Sequence, residues 1–145
     1  EGAEPVADLT VESSSLEGVE IAGNIIPRIL DELPILAVAA CFAKGTTIIK
    51  DARELRVKES DRVKTTVLEL SRLGASIEER PDGMVIHGLG QLRGARVRSH
   101  GDHRLAMVLG VVGLLCRGET LVEGADAAVV SYPQFWDHLR LLCNN

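Results

Sequence analysis

The chain has 145 residues, of which 46% are hydrophobic, 26% charged and 3% aromatic, and its formal net charge is −5. This length is enough for one domain with its own core. The negative charge disfavours bulk binding to nucleic acid or acidic membranes, and the few aromatic residues leave no stacking platform for single-stranded nucleic acid. The longest apolar run, residues 105–116, is too short to span a bilayer. Cys41, Cys116 and Cys143 lack metal-type spacing and are predicted to be reduced core residues of a cytoplasmic protein.

Hydrophobic periodicity predicts two successive runs of elements. The first contains strands at 9–13 and 19–22, a helix at 30–43, a strand at 46–50, an amphipathic helix at 58–73 and a hairpin with strands at 76–79 and 84–87. The second contains a strand at 95–98, a helix at 102–116, a strand at 119–122 and a helix at 133–142. Pro34 falls in the first turn of its predicted helix, where proline is tolerated.

The two runs resemble each other in sequence. Residues 42–51 align with 115–124 at an offset of 73, and Gly18 aligns with Gly94 at an offset of 76, which implies a three-residue indel. The shared order of elements supports an internal repeat with units at about 9–80 and 82–145. The class is therefore α/β (α+β). Helices 33–43 and 105–116 are apolar almost all round, as helices buried on every side are, which indicates that the two units belong to a larger array.

Three charged clusters lie where helices are predicted to begin, at residues 27–32, 58–62 and 100–104. In the second cluster, Lys58 and Arg62 are four residues apart and share one predicted helix face, and Glu59 is also a neighbour of Arg62. The N-terminus of a helix carries a partial positive charge and free N–H donors. Adding cations there predicts an anion-binding site, with phosphate as its ligand. The same spacing is also typical of a solvated surface helix with i,i+4 charge pairs.

The other two clusters have similar alternatives. Asp31 suits an N-cap or a first-turn carboxylate, or a general base held at a helix start. Asp102 is a candidate N-cap, which places His103 and Arg104 in the first turn, where a cation opposes the helix dipole unless an anion binds nearby. His100 and His103 also fit an ordinary polar surface, and their spacing with Asp102 matches no standard metal-ligand pattern.

At these residues the chain resembles the 5-enolpyruvylshikimate-3-phosphate synthase family. The resemblance runs from about Leu9 to Leu142, and four motifs carry it: Pro27–Glu32, Leu55–Arg62, Gly101–Met107 and Ser131–Pro133. It implies a fold of repeated βαβαββ units, about two of the family's six. Residues 1–145 would be part of the C-terminal domain. The family is roughly three times longer and the chain starts at Glu1 without Met, so we expect a fragment, or a processed product, that is inactive alone.

The resemblance also implies a reaction. The family transfers the enolpyruvyl group of phosphoenolpyruvate to the 5-hydroxyl of shikimate 3-phosphate, a step of aromatic amino-acid biosynthesis, and releases phosphate without a metal or organic cofactor. By resemblance, the catalytic residues are Asp31, a base near the attacking hydroxyl, and Glu59, the proton donor to the methylene carbon. The substrate-binding residues are Lys58 on the shikimate phosphate side, Arg62 and Arg104 on the phosphoenolpyruvate anion, and His103 in support. The expected partners are the two substrates and the missing N-terminal part of the enzyme, with no nucleic acid and no membrane.

Two positions depart from the motif of some members, which have Asn at Glu54 and Lys at Val130, so neither residue is included in the predicted site. Three alternatives remain. A UDP-N-acetylglucosamine enolpyruvyl transferase has the same fold and phosphoenolpyruvate chemistry, but lacks the Arg56–Arg62 motif. A non-catalytic scaffold domain of this fold is a second alternative, although the charged clusters argue against a decayed site. An RNA-end-processing enzyme built from the same unit is disfavoured by the negative charge.

Overall fold

The computed structural model describes residues 6–143. Residues 1–5 and 144–145, at the ends of the predicted 1–145 span, lie outside the described residues. The α-helices are α1 (Leu33–Phe42), α2 (Arg62–Arg72), α3 (His103–Leu115) and α4 (Phe135–Cys143). The strands are β1 (Glu20–Ile21), β2 (Thr46–Ile49), β3 (Ser76–Arg80), β4 (Gly83–His87), β5 (Leu92–Arg93), β6 (Arg96–Arg98), β7 (Cys116–Arg117) and β8 (Leu121–Glu123). Short 3₁₀ helices occupy Gly23–Arg28, Leu30–Glu32, Arg53–Val57 and Ala125–Val130. Among the described residues, no helix combines the length and apolar character needed to cross a membrane.

The two halves of the chain share a parallel strand pair, with an α-helix between its strands, followed by a 3₁₀ helix and a second α-helix. In the first half β1 pairs in parallel with β2, with Glu20 opposite Ile48. In the second half β6 pairs in parallel with β8, with Arg96 opposite Leu121. The paired residues of β6 and β1 are 76 positions apart in sequence, and those of β8 and β2 are 73 apart. These are the two offsets of the repeat found in the sequence. Each pair is followed by a 3₁₀ helix and then by α2 or α4, so the predicted α/β class is confirmed.

The first half adds an antiparallel hairpin to its parallel pair. Its four strands lie in the order β1-β2-β4-β3, and β4 pairs in antiparallel fashion with both β2 and β3. The turn of this hairpin contains Pro81 and Asp82, as the turn residues in the sequence predict. In the second half, within residues 6–143, the strands form two separate parallel pairs, β5 with β7 and β6 with β8.

The core lies where α1, α2 and α3 pack against each other and against the first sheet. Its fully buried members include Leu33, Ile49, Leu70, Met84 and Leu105. The prediction of burial on every side is wrong for α3, because Leu114 and Leu115 are about half exposed, at 54% and 52%; every residue of α1 is buried or half-buried. An uncovered apolar face is expected where a further unit of a repeat array would pack.

Two other sequence predictions are wrong. Residues 9–13 form no strand: Leu9 and Val11 are 90% and 92% exposed, and residues 6–16 have no regular structure. An alternating pattern with no neighbouring strand to pair with does not form a sheet. Cys143 is exposed rather than in the core, whereas Cys41 is buried and Cys116 half-buried; all three are free thiols.

Candidate active site

The second charged cluster lies in a loop rather than inside a helix. The predicted helix 58–73 begins at Arg62, because Asp61 is its N-cap and its Oδ1 accepts a hydrogen bond from the Lys64 N–H at 3.0 Å. Residues 58–61 have irregular backbone. The prediction that Lys58 and Arg62 share one helix face is therefore wrong. Lys58 pairs instead with Glu54, across one turn of the preceding 3₁₀ helix, with Nζ 3.0 Å from Oε1.

The third cluster starts a helix as predicted. Asp102 is the N-cap of α3, and its Oδ1 accepts hydrogen bonds from the N–H groups of Arg104 at 2.9 Å and Leu105 at 3.2 Å. Such a cap satisfies donors that the first helical turn leaves unpaired. The Asp102 side chain is completely buried. His103 and Arg104 follow in the first turn, both half-buried.

Arg62 joins the three clusters through its guanidinium group. Nε lies 2.7 Å from Asp102 Oδ2, Nη1 lies 2.8 Å from Asp31 Oδ1, and Nη2 lies 2.5 Å from Glu59 Oε2. A further contact of 3.3 Å links Nη2 to Asp102 Oδ1. Arg62 is 2% exposed, and four hydrogen bonds to carboxylates use most of its five N–H donors. For Arg62 to bind an anion directly, one of these carboxylates would have to move away.

Asp31 has a different environment from the one predicted for an N-cap. It lies in the 3₁₀ helix before α1, and its side chain caps neither helix. Instead, its two carboxylate oxygens contact different arginines: Oδ1 accepts from Arg62, and Oδ2 lies 3.1 Å from Arg104 Nη2. Arg104 also lies 3.6 Å from Glu32. Asp31 is thus held as a carboxylate between two cations, and 39% of its side chain remains exposed.

Two clefts meet at Asp31 and Glu32. The first, of about 160 Å³, has a mainly apolar lining completed by Ile35, Arg104, Met107, Val108 and Val111. The second, of about 300 Å³, is polar, and Pro27, Arg28, Leu30, Glu54 and Lys58 complete its lining. Asp31 is therefore accessible from two sides, with a cation on each side, Arg104 in one cleft and Lys58 in the other.

Burial and pairing act in opposite directions on the Arg62–Asp102 pair. Burial alone would raise the pKa of Asp102, but the hydrogen bonds and charge of Arg62, together with the hydroxyl of Ser60 at 2.9 Å, hold that pKa below its ordinary value. Burial would likewise lower the pKa of Arg62, and the carboxylates around it raise that pKa instead. Both side chains are charged, and the start of α2 is tied to the start of α3 by a buried ion pair.

The structure brings most of the predicted residues together. Asp31, Glu59, Arg62 and Arg104 form one connected set of ion pairs. Lys58 lines the same cleft as Asp31. His103, the first residue of α3, follows the buried Asp102 without joining these ion pairs. Within residues 6–143, no three His, Cys, Asp or Glu side chains are grouped as a metal site would require.

Sequence reasoning missed the second function of Asp102. The sequence predicts only an N-cap at Asp102, whereas one of its oxygens also accepts hydrogen bonds from Arg62 and Ser60. The available signal was Arg62 itself. Arginine is almost never fully buried unless it is paired, so burying the start of α2 requires a carboxylate from another element.

Comparisons with known proteins identify the family of the chain. The family model of EPSP synthase (3-phosphoshikimate 1-carboxyvinyltransferase) matches residues 2–139. The chain is 57% identical over 138 residues to the 3-phosphoshikimate 1-carboxyvinyltransferase of Herpetosiphon aurantiacus, covering 95% of this chain and 32% of that protein. It is 59% identical over 140 residues to the enzyme of the same name from Roseiflexus castenholzii, covering 97% of this chain and 32% of that protein.

A solved structure of the same kind of enzyme shares the fold of this chain. The 2.37 Å structure of EPSP synthase from Acinetobacter baumannii superposes with a TM-score of 0.81 at 34% identity, covering 85% of this chain and 29% of that one. The fold is therefore that of the enolpyruvyl transferases. The chain belongs to the EPSP synthase (3-phosphoshikimate 1-carboxyvinyltransferase) family. It spans about a third of the length of the curated relatives it matches.

Proposed function

We propose that this chain supplies part of an active site that transfers the enolpyruvyl group of phosphoenolpyruvate to the 5-hydroxyl of shikimate 3-phosphate and releases phosphate. The observation that carries the proposal is the position of Asp31. In a chain of this family, it is a carboxylate held between Arg62 and Arg104 at the boundary of two clefts. The remaining groups of the site surround it.

The roles are those that the resemblance to the family implies, and the chemistry of the groups suits them. Asp31 is the base near the attacking hydroxyl, since its carboxylate is fixed and still partly exposed. Glu59, half exposed at 50%, donates the proton to the methylene carbon. Lys58 binds shikimate 3-phosphate on the polar side. Arg104 binds phosphoenolpyruvate, because a guanidinium can form two parallel bonds with an anion.

Arg62 and His103 have supporting roles. Because Arg62 is buried against three carboxylates, it sets the positions of Asp31 and Glu59 and adds positive charge beneath the phosphoenolpyruvate site. It contacts the anion directly only while Glu59 is protonated and has released it, because Glu59 becomes a carboxylate again, and pairs with Arg62, once its proton has passed to the methylene carbon. His103, beside Arg104 at the first turn of α3, supports the same anion. Positive charge in this region stabilises the charge that develops on the leaving phosphate.

The charge balance implies that the site is incomplete. The described cations are Arg28, Lys58, Arg62 and Arg104, and the described carboxylates are Asp31, Glu32, Glu54, Glu59 and Asp102. Four cations facing five carboxylates do not attract two anionic substrates. The missing N-terminal part of the enzyme would supply the additional cations. We infer that residues 1–145, with units at about 9–80 and 82–145, are part of the C-terminal domain of a cytoplasmic enzyme, inactive alone and without nucleic-acid or membrane partners.

The test is phosphate release from phosphoenolpyruvate plus shikimate 3-phosphate. The chain is assayed alone, then mixed with the separately expressed upstream part of the Herpetosiphon aurantiacus relative, with Asp31→Ala as the matched variant. We expect release only in the mixture, and its loss with Asp31→Ala. Release by the chain alone would contradict the incomplete site. No release from two folded parts that bind each other would contradict the proposed reaction.

A further inference from the structure

Residues 58–61, which contain Lys58 and Glu59, have irregular backbone between a 3₁₀ helix and α2. A loop that carries catalytic groups must be held in place by something other than repetitive hydrogen bonds. The ion pairs of Glu59 with Arg62 and of Lys58 with Glu54 hold side-chain tips, and both acidic partners are at least half exposed. Exposed pairs of this kind contribute little stability.

The Ser60 hydroxyl holds the middle of this loop, since it donates to the buried Asp102 at 2.9 Å. The far end is held by Arg56, near the end of the preceding 3₁₀ helix. Its Nη1 lies 2.8 Å from Asp61 Oδ2 and 2.8 Å from Glu79 Oε1. Its Nε donates to the Pro81 carbonyl oxygen at 2.8 Å, and its Nη2 donates to the Arg80 carbonyl oxygen at 2.5 Å. One guanidinium thus binds both the far end of the loop and the turn of the β3–β4 hairpin.

Asp61 transmits this restraint to the helix. Its Oδ2 is occupied by Arg56 and its Oδ1 caps α2 through the Lys64 N–H. The two oxygens of one carboxylate therefore fix the end of the loop relative to both the hairpin and the helix. The Arg56 side chain is only 21% exposed, so water competes less for these bonds than at the protein surface.

Arg56 itself lines neither cleft at Asp31. We propose that Arg56 is a positioning residue: through Asp61 it clamps the Lys58–Asp61 loop to the hairpin turn and so places Glu59 and Lys58 for the reaction. The inference rests on the proposed function for its catalytic consequence. The clamp itself can be measured without turnover.

A lysine at this position keeps the charge but loses the planar fork, so it cannot make all these contacts from one point. In the assembled enzyme, we expect Arg56→Lys to lower kcat by about 10- to 100-fold while KM changes less, because a displacement on the order of 1 Å costs that much at a reacting centre. Arg53→Lys is the matched control. Arg53 is exposed, lies in the same 3₁₀ helix and has no salt bridge among the described residues, so the control should keep parental kinetics.

The second readout is the ¹⁵N order parameters of residues 58–61 in the 145-residue chain without substrates. We expect them to fall in Arg56→Lys from values of a rigid backbone, about 0.85, to below about 0.6. Those of α1 should not change, which separates loss of the clamp from unfolding. Parental order parameters at residues 58–61 would overturn the clamp. Parental kcat with a loosened loop would overturn its role in positioning. If the parental mixture releases no phosphate, the proposed reaction fails, and the order parameters alone decide whether the clamp exists.

Discussion

Arg62 and Asp102 form a buried ion pair between the first residue of α2 and the N-cap of α3, with Arg62 Nε 2.7 Å from Asp102 Oδ2. Arg62 is 2% exposed and Asp102 is completely buried. Forty residues separate them in sequence. Because Arg62 also binds Asp31 and Glu59, one guanidinium fixes carboxylates from three different segments. In this site Arg62 organises the acidic groups, and Arg28, Lys58 and Arg104 are the cations that line the two clefts.

Removing Arg62 should destabilise the chain strongly. We expect Arg62→Met to lower the free energy of unfolding by about 3–5 kcal/mol, because Asp102 is then buried without its partner. The double variant Arg62→Met/Asp102→Asn should regain part of this loss, since Asn still caps α3 and carries no charge. Urea unfolding at pH 7 measures the free energy of unfolding of the single and the double variant. Lys64→Met, at an exposed position of α2, is the control and should change stability by less than about 0.5 kcal/mol. A double variant less stable than Arg62→Met would show that the uncompensated charge is not the cause.

The pH dependence of stability should include Asp102. Its pKa is lowered in the folded chain because pairing with Arg62 and Ser60 outweighs burial. The stabilisation is therefore fully present above the unfolded-state pKa, about 3.9, and is lost as the pH falls through the folded-state value. We expect the unfolding free energies of the parent and Asp102→Asn to differ most at neutral pH and to converge in acid. Parallel curves from pH 6 to pH 2 would contradict this assignment.

A second buried carboxylate, Glu69 of α2, should hold the segment that leads to α3. Its Oε2 accepts from the Arg98 N–H at 3.0 Å and lies 3.1 Å from Arg72 Nη1, and its Oε1 lies 2.7 Å from His100 Nε2. Glu69→Leu leaves the Arg98 N–H without its acceptor and should cost about 1–3 kcal/mol. Glu69→Gln keeps an acceptor oxygen and should cost less. Thermal unfolding compares the two, and equal losses would show that the hydrogen bond to Arg98 contributes nothing.

The internal repeat predicts equivalent effects at two glycines. A Cβ at Gly18 would clash with the Thr46 backbone, and a Cβ at Gly94 would clash with the Glu119 backbone, at the matching point of the second strand pair. Each alanine variant must push two strands apart, and we expect a loss of stability of about 1–3 kcal/mol in each, as for other overpacked sites. Val19→Ala, beside Gly18 and 54% exposed, is the control. Denaturant unfolding with a loss at one glycine only would contradict the structural equivalence of the two strand pairs.

The sequence predicted the order of elements because helical and strand periodicities are local signals. Pro34, the Pro81–Gly83 turn and the Asp102 cap lie where their backbone chemistry requires. The predicted start of α2, residue 58, lies four residues before the observed one, Arg62. The charges of Lys58 and Glu59 favour a first helical turn there, whereas Asp61 is a stronger N-cap signal and makes Arg62 the first residue of the helix. The strand predicted at residues 9–13 does not form, because alternation alone does not reveal whether a neighbouring strand exists.

The sequence predicts which charged residues form one cluster, but not how they pair. Motifs placed Asp31, Glu59, Arg62 and Arg104 at segment starts, and the structure joins them through ion pairs. The burial of Arg62 could not be predicted, because it depends on partners 31 and 40 residues away. Long-range pairings of this kind are set by how separate elements pack in three dimensions, and spacing within a single motif does not encode them.

The most direct test of the proposed function asks which acceptor gains the three-carbon group. The chain and the upstream part of its relative are mixed with phosphoenolpyruvate and either shikimate 3-phosphate or UDP-N-acetylglucosamine, and the products are analysed by mass spectrometry. We predict that only shikimate 3-phosphate gains the mass of an enolpyruvyl group, and that Asp31→Ala abolishes the gain. Transfer to UDP-N-acetylglucosamine, or no transfer from two folded parts that bind each other, would contradict the account.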